Sequence, residues 1–134
     1  MPKSTKLTDN SGTTITQQWF YYDDASSYDT APSEGLLTKE EVRLYNSQDG
    51  SEKKIASQYS YDSYGNLTKS TNSKGYATTT EYDSTLHSYP VKITNAKGHT
   101  LTNEYDYQTG QVTQSSDANS QSTQYQYDSL GRLT

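Results

Sequence analysis

The stretch Tyr61-Asp62-Ser63-Tyr64-Gly65-Asn66-Leu67-Thr68 decides how this chain is read, because it returns at the end as Tyr127-Asp128-Ser129-Leu130-Gly131-Arg132-Leu133-Thr134. Between the two lie Tyr105-Asp106-Tyr107-Gln108-Thr109-Gly110-Gln111-Val112-Thr113, and Tyr82-Asp83 leading to Val91-Lys92-Ile93-Thr94. The Tyr-Asp pairs begin at 61, 82, 105 and 127, so neighbouring copies stand 21, 23 and 22 residues apart. A period of this size marks a repeat architecture. A looser copy upstream reads Tyr22-Asp23, then a Ser/Asp/Pro-rich insertion, then Gly35-Leu36-Leu37-Thr38.

A second turn signal falls midway in each unit: Asn72-Ser73-Lys74-Gly75, Asn95-Ala96-Lys97-Gly98 and Asp117-Ala118-Asn119-Ser120, with Asp9-Asn10-Ser11-Gly12 and Asp49-Gly50 upstream. Asx first and Gly or Asn near the end suit a type I turn closed by a left-handed residue. Two turns per unit leave two short strands per unit, a continuous run of antiparallel hairpins. Counting back in twos from each Tyr-Asp gives Ile55, Ser57, Tyr59, Tyr61; Tyr76, Thr78, Thr80, Tyr82; His99, Leu101, Asn103, Tyr105; and Gln121, Thr123, Tyr125, Tyr127. The intervening residues are small or polar. That period of two, with one aromatic and one wet face, predicts antiparallel sheet. Thr38 to Tyr45 is the one segment where helix competes, and even there the alternating Val42 and Leu44 suit a strand. Within Tyr-Asp-x-x-Gly, Tyr closes the strand on the buried face, Asp accepts turn N–H groups, and Gly supplies a positive φ.

Composition narrows the class. Leu, Ile, Val and Phe make only 16 of the 134 residues, but there are 14 Tyr and the net charge is −5. Tyr and Thr suit half-buried pleated surfaces, so tyrosine is expected to supply most of the core. No Cys is present, which removes disulfides and thiolate metal sites. No segment approaches the roughly 18 apolar residues of a membrane span, and no signal peptide is visible. A pI near 4.8 with scattered Lys and Arg argues against nucleic acid as a partner.

The recurring Tyr-Asp-x-x-Gly-(Asn/Arg)-Leu-Thr, alternating with Asn/Asp-x-x-Gly, resembles the YD repeat of the Rhs family, clearly over 46–134 and loosely over 9–45. That family includes bacterial polymorphic toxins, wall-associated proteins, B and C components of insecticidal toxin complexes, and animal teneurins. The resemblance implies a long β-strip spiralling into a hollow shell, which in the toxins encloses a C-terminal toxic domain. The sequence departs from the pattern in two copies. Leu86-His87-Ser88-Tyr89-Pro90 replaces one Gly turn, and about nine residues are inserted before Gly35. Neither the family's self-cleavage region nor a toxic domain is present. The chain stops inside a repeat, so a fragment of a larger protein is expected.

Other candidate sites are weighed against plainer readings. His87 and His99 lack convergent partners at metal-ligand or nucleophile–base spacing. Asp62, Asp83, Asp106 and Asp128 offer one carboxylate per turn, whereas calcium needs several oxygens in one loop. Asp23, Asp24, Asp29 and Glu34 form the densest acidic cluster, read as a solvated loop. Glu40-Glu41 and Asp23-Asp24 are adjacent, so on a strand they point to opposite faces and make no hydrolytic dyad. In the aromatic run Trp19-Phe20-Tyr21-Tyr22, Phe20 and Tyr22 are expected inward, with Trp19 capping an edge or touching a neighbouring segment.

These readings give an all-β chain of tandem antiparallel β-hairpin repeats, a strip of a shell- or solenoid-like sheet. It divides into a divergent unit with an inserted loop (1–45) and regular repeats (46–134). Its expected role is a non-catalytic segment of an Rhs/YD-repeat shell, secreted or at a bacterial cell surface, that encloses or presents a toxin cargo. The structural residues are Tyr61, Asp62, Gly65, Leu67, Tyr82, Asp83, Tyr105, Asp106, Gly110, Val112, Tyr127, Asp128, Gly131 and Leu133. No catalytic residue, metal or cofactor is expected. Partners are other repeats of the parent chain and its cargo, with self-association through open sheet edges in isolation. The alternative is a carbohydrate-binding adhesion module using Trp19 and Tyr21.

Overall fold

A computed structural model describes residues 3–46 and 49–134. Among the described residues, ten antiparallel strands follow one another through the sheet in chain order: β1 (Ser4–Thr8), β2 (Thr14–Tyr22), β3 (Leu37–Tyr45), β4 (Glu52–Tyr61), β5 (Leu67–Thr71), β6 (Ala77–Tyr82), β7 (Pro90–Thr94), β8 (Thr100–Asp106), β9 (Gln111–Ser116) and β10 (Ser122–Gln124). The described residues contain no helix. The all-β hairpin expectation holds, including β3 over the segment that carries Val42 and Leu44.

Five of the described turns share one geometry. An Asx side chain at the first turn position accepts the N–H groups two and four residues on, and the fourth residue takes a positive φ. Asp9, Asn95 and Asp117 do this at the midway turns. Asp62 and Asp128 do it at the Tyr-Asp turns. This side-chain mimicry of a backbone turn explains why Asx and Gly recur with the same spacing.

By internal contacts the chain forms two compact units. One runs to Tyr61 and includes Ser70–Gly75; the other comprises Asp62–Lys69 and Tyr76–Thr134. In the first unit, β2 pairs with β3 through Trp19↔Glu41 and Tyr21↔Lys39, while Gln18↔Val42 and Phe20↔Glu40 occupy the opposite face. The latter face continues through Ile55, Ser57, Tyr59 and Tyr61 of β4.

Burial departs from expectation here. Among the described residues the one buried hydrophobic side chain is Trp19, 6% exposed, and Glu41 beside it is 8% exposed. Both lie on the face expected to be wet. The inserted segment after Tyr22 accounts for this, because Tyr28 packs at 6.2 Å from the Trp19 ring and 6.4 Å from the Tyr21 ring. Trp19 therefore does not cap an edge; β1 and β3 flank it on either side. The strand-closing tyrosines 22, 61, 82, 105 and 127 are half-buried, so the tyrosine core is a row of partly covered rings.

In the second unit β6 through β9 pair in sequence, with Thr80↔Ile93 and Ile93↔Leu101 placing Thr80, Ile93 and Leu101 on one face. Registers slip between Tyr21 and Tyr22, Glu81 and Tyr82, and Glu104 and Tyr105, each immediately before the motif tyrosine. The unmatched residue lies on the return strand: Thr38, Val91 and Thr113. A bulge increases local twist and re-aims the neighbouring side chain.

Candidate functional site: the tyrosine ladder between repeats

Four motif tyrosines face the first residues of their own return strands, as Tyr22↔Leu37, Tyr82↔Pro90, Tyr105↔Val112 and the bridge Tyr127↔Leu133. Its hydroxyl reaches further, into the preceding repeat. Tyr61 donates to the Leu37 carbonyl at 2.9 Å, Tyr82 to Leu67 at 3.3 Å, Tyr105 to Pro90 at 3.2 Å, and Tyr127 to Val112 at 2.9 Å. The acceptors occupy the same column, the residue that starts the return strand. The last three bonds each span 15 residues, and the first spans 24 because the inserted loop intervenes.

A second link joins successive Tyr-Asp turns. Asn66, just after Gly65, donates from Nδ2 to the His87 carbonyl at 2.6 Å. One repeat on, Tyr89 packs against Gly110, where an added Cβ would lie 2.9 Å from the Tyr89 hydroxyl. The third member is Gln111, which donates from Nε2 to the Gly131 carbonyl at 2.9 Å. In each case the residue just before the ladder acceptor (Leu67, Pro90 or Val112) meets the left-handed residue of the following turn. His87, with φ 52°, fills that position where the copy lacks glycine. Its ring stacks on Tyr64 at 4.0 Å and 9°, which adds a further tie between those turns.

The two irregular copies are closed by their aspartates. Asp83 is 2% exposed and accepts four backbone N–H groups, from Thr85 and Leu86 on Oδ2 and from Ser88 and Tyr89 on Oδ1. Burial alone pushes its pKa up, but these donors outweigh burial and hold it well below the usual range. Asp23 clamps the inserted loop in the same way. Oδ2 accepts from Ser33, Glu34 and Gly35, and Oδ1 from Leu36. The Gly35 N–H foremost brings its pKa down to about 2. In the regular turns, Asp62 is lowered chiefly by the Asn66 side chain and Asp128 by the Arg132 N–H.

The family model for the RHS repeat matches residues 105–134. Over those residues the chain is similar to an RHS repeat. In the crystal structure of TcdB2-TccC3-Cdc42 the similar chain is 18% identical with a TM-score of 0.63, and the match covers 97% of this chain and 7% of that one. A Photorhabdus luminescens Tc holotoxin pore structure matches at 11% identity and a TM-score of 0.35, over 97% of this chain and 11% of that one. The first of these supports the fold. No curated protein matches the sequence.

Within the matched RHS repeat, the sequence-named residues Tyr105, Asp106, Gly110, Val112, Tyr127, Asp128, Gly131 and Leu133 come together in the turns and the ladder just described. In the earlier copies Tyr61, Asp62, Gly65, Leu67, Tyr82 and Asp83 take the same positions. Sequence reasoning missed Asn66, Tyr89 and Gln111, whose side chains differ while their position just before the ladder acceptor is shared. It also missed the ring stack made by His87.

Trp19 and Tyr21 sit apart from the RHS-repeat turns. The Arg43 guanidinium lies 4.4 Å from the Trp19 ring centroid, and Lys39 Nζ lies 4.5 Å from that of Tyr21. Glu41 accepts from both cations at 3.0 Å. Burial raises the Glu41 pKa, but the two cations overcome this and hold it low. The Trp19 face that a sugar ring would need is thus taken by Arg43 and Tyr28. Among the described residues no group of three or more His, Asp or Glu side chains is placed to hold a metal.

Proposed function

We propose that this chain is a wall segment of an Rhs-repeat shell in a secreted or cell-surface bacterial protein, and that the shell encloses or presents a toxic cargo. The observation that carries this reading is the tyrosine ladder. Four motif hydroxyls are bonded to backbone carbonyls of the preceding repeat, so the motif's most polar aromatic atoms hold repeats together and are not offered to a substrate. Repeats of this kind bury their faces only against neighbours. The RHS-repeat match and the fold shared with a Tc toxin chain support the same reading. The mechanism is steric: hydrogen-bonded strands form a barrier, and chemistry belongs to what the barrier holds.

Removing ladder hydroxyls tests the reading. Tyr105→Phe and Tyr127→Phe are each expected to lower stability by about 1 kcal/mol, the net worth of one hydrogen bond, in urea titrations followed by circular dichroism. In the longer polypeptide carrying this segment, the double variant is expected to expose a downstream cargo to trypsin earlier than the parent. Unchanged midpoints together with unchanged cargo digestion would overturn the wall role. Saturable binding on a glycan array, abolished by Trp19→Ala, would favour an adhesion module instead.

A further inference from the structure

Two tyrosines outside the repeat motif meet between neighbouring Tyr-Asp turns. Tyr107 follows Asp106 where Ser63, Ser84 and Ser129 follow the other motif aspartates, and Tyr89 stands where Asn66, Gln111 and Arg132 stand in the other copies. Their ring centroids lie 5.8 Å apart, with the planes tilted by 53°. Both rings are presented from turns held by aspartate. The Tyr89 N–H donates to Asp83 Oδ1, and its carbonyl accepts the Asp83 N–H, each at 2.9 Å. Beside Tyr107, Asp106 Oδ1 accepts the Gln108 N–H at 2.8 Å. The backbone under each ring is therefore fixed, and the rings keep side-chain rotation.

The two hydroxyls differ from those of the ladder. Neither has a hydrogen-bond partner among the described residues, where no buried side-chain oxygen is left unpaired, so both touch water. Tyr107 is also 46% exposed and open to an oxidant in solution. Taking an electron from a phenol releases its proton, which water accepts and a backbone carbonyl does not. Tyr105 stacks on Tyr89 as well, at 4.8 Å, but its hydroxyl donates to the Pro90 carbonyl. Tyr21 and Tyr28 meet edge to face at 6.4 Å, with the Lys39 ammonium 4.5 Å from the Tyr21 centroid. A cation at that distance opposes electron loss from the ring. Among the described tyrosine pairs, 89–107 alone combines two unpartnered hydroxyls with rings free of a neighbouring cation.

We propose that Tyr89 and Tyr107 are an oxidative cross-linking site, at which a one-electron oxidant of the haem-peroxidase class, supplied with hydrogen peroxide, joins the rings into a dityrosine staple between successive turns. Each phenol gives up one electron and its proton. The two phenoxyl radicals pair their electrons in a new bond between one Cε of each ring, and the hydrogens displaced from those carbons move to the two oxygens. The protein loses two hydrogens in all, and the peroxide is reduced to two waters. Rotation of exposed side chains is fast, on the ps–ns scale, and brings the Cε atoms together. The bond spans the 18 positions from 89 to 107 and constrains the unfolded chain as a disulfide does, in a sequence that has no Cys.

The test treats an equal mixture of isotopically labelled and unlabelled folded chain with a haem peroxidase and hydrogen peroxide. The expected product has lost two hydrogens per chain by intact mass, which no disulfide can explain here, and emits dityrosine fluorescence. On digestion it yields a peptide linking Tyr89 to Tyr107 without mixing of the labels. Its urea midpoint is higher than that of the untreated chain. Tyr89→Phe and Tyr107→Phe keep the rings but lose the linked peptide and the rise in midpoint. Tyr105→Phe keeps both, measured against its own untreated form. No link, a link mapped to other tyrosines, a linked peptide that mixes labels, or a midpoint unmoved by the 89–107 link overturns the staple. So does loss of the link in Tyr105→Phe, which would place the coupling on the stacked pair.

Discussion

At the scale of single residues, the turns distinguish backbone strain from crowding. Gly65 has φ 84° and nothing within 4 Å of where a Cβ would sit, whereas Gly110 has φ 74° and the Tyr89 hydroxyl 2.9 Å away. Gly65→Ala therefore carries only the left-handed penalty, about 1 kcal/mol. Gly110→Ala carries that penalty and displaces Tyr89, which also stacks on Tyr105 at 4.8 Å. Urea midpoints are expected to fall further for Gly110→Ala than for Gly65→Ala; equal falls would remove Tyr89 from the inter-turn link.

The aspartates set the acid limb at the same scale. Asp83 and Asp23 have folded pKa values below the ordinary carboxylate value, that of Asp23 at about 2. On acidification the unfolded chain takes up protons first, near pH 4. The stability these groups contribute is complete above that pH and is lost as pH falls through the folded values. Melting temperature is thus expected to be flat above about pH 5 and to fall steeply between about pH 4 and 2. Asp83→Asn, unable to match four N–H donors as a charged acceptor, is expected to melt lower at neutral pH and to show a shallower acid limb. An acid limb identical to the parent's would count against the clamp.

At the scale of elements, the inserted loop is what turns a bare sheet face into a buried site. Trp19 is covered by Tyr28 from that loop and by Arg43 from β3, and Asp23 holds the loop's far end by four N–H groups. Because Trp19 is the chain's one tryptophan, its fluorescence reports the cover directly. Tyr28→Ala is expected to shift emission to longer wavelength while leaving the strands intact by circular dichroism. Trp19→Ala is expected to cost about 3 kcal/mol or more, as for other large-to-small buried aromatic changes. An unshifted spectrum in Tyr28→Ala would mean that β3 alone shields the indole.

At the scale of the whole chain, β1 and β10 are, among the described strands, each paired on one side only. Unpaired backbone groups on such strands invite pairing with another chain. Self-association of the isolated protein is therefore expected in sedimentation velocity, rising with concentration and reduced by Thr123→Lys on β10. A strictly monomeric species across a wide concentration range would show that the edges are self-protecting.

Much of this was legible along the chain because it is local. Tyr-Asp at 61, 82, 105 and 127, the Asx-x-x-Gly turns and the period of two describe interactions between residues a few positions apart, and these determine hairpins and their order. Which partner a side chain meets in the neighbouring repeat was not legible. The hydroxyl of Tyr105 and the carbonyl of Pro90 come together only once two strands lie side by side, and Asn66, Tyr89 and Gln111 share a position but no chemistry. Trp19 was misplaced for the same reason: alternation assigns a residue to a face, but a loop from elsewhere decides whether that face is covered. By itself, the sequence determined an antiparallel repeat and its turns, since each rests on backbone preference over short spans. Only the tertiary structure decided the ladder, the clamped loops and the buried indole, because each depends on groups brought together across repeats or across an insertion.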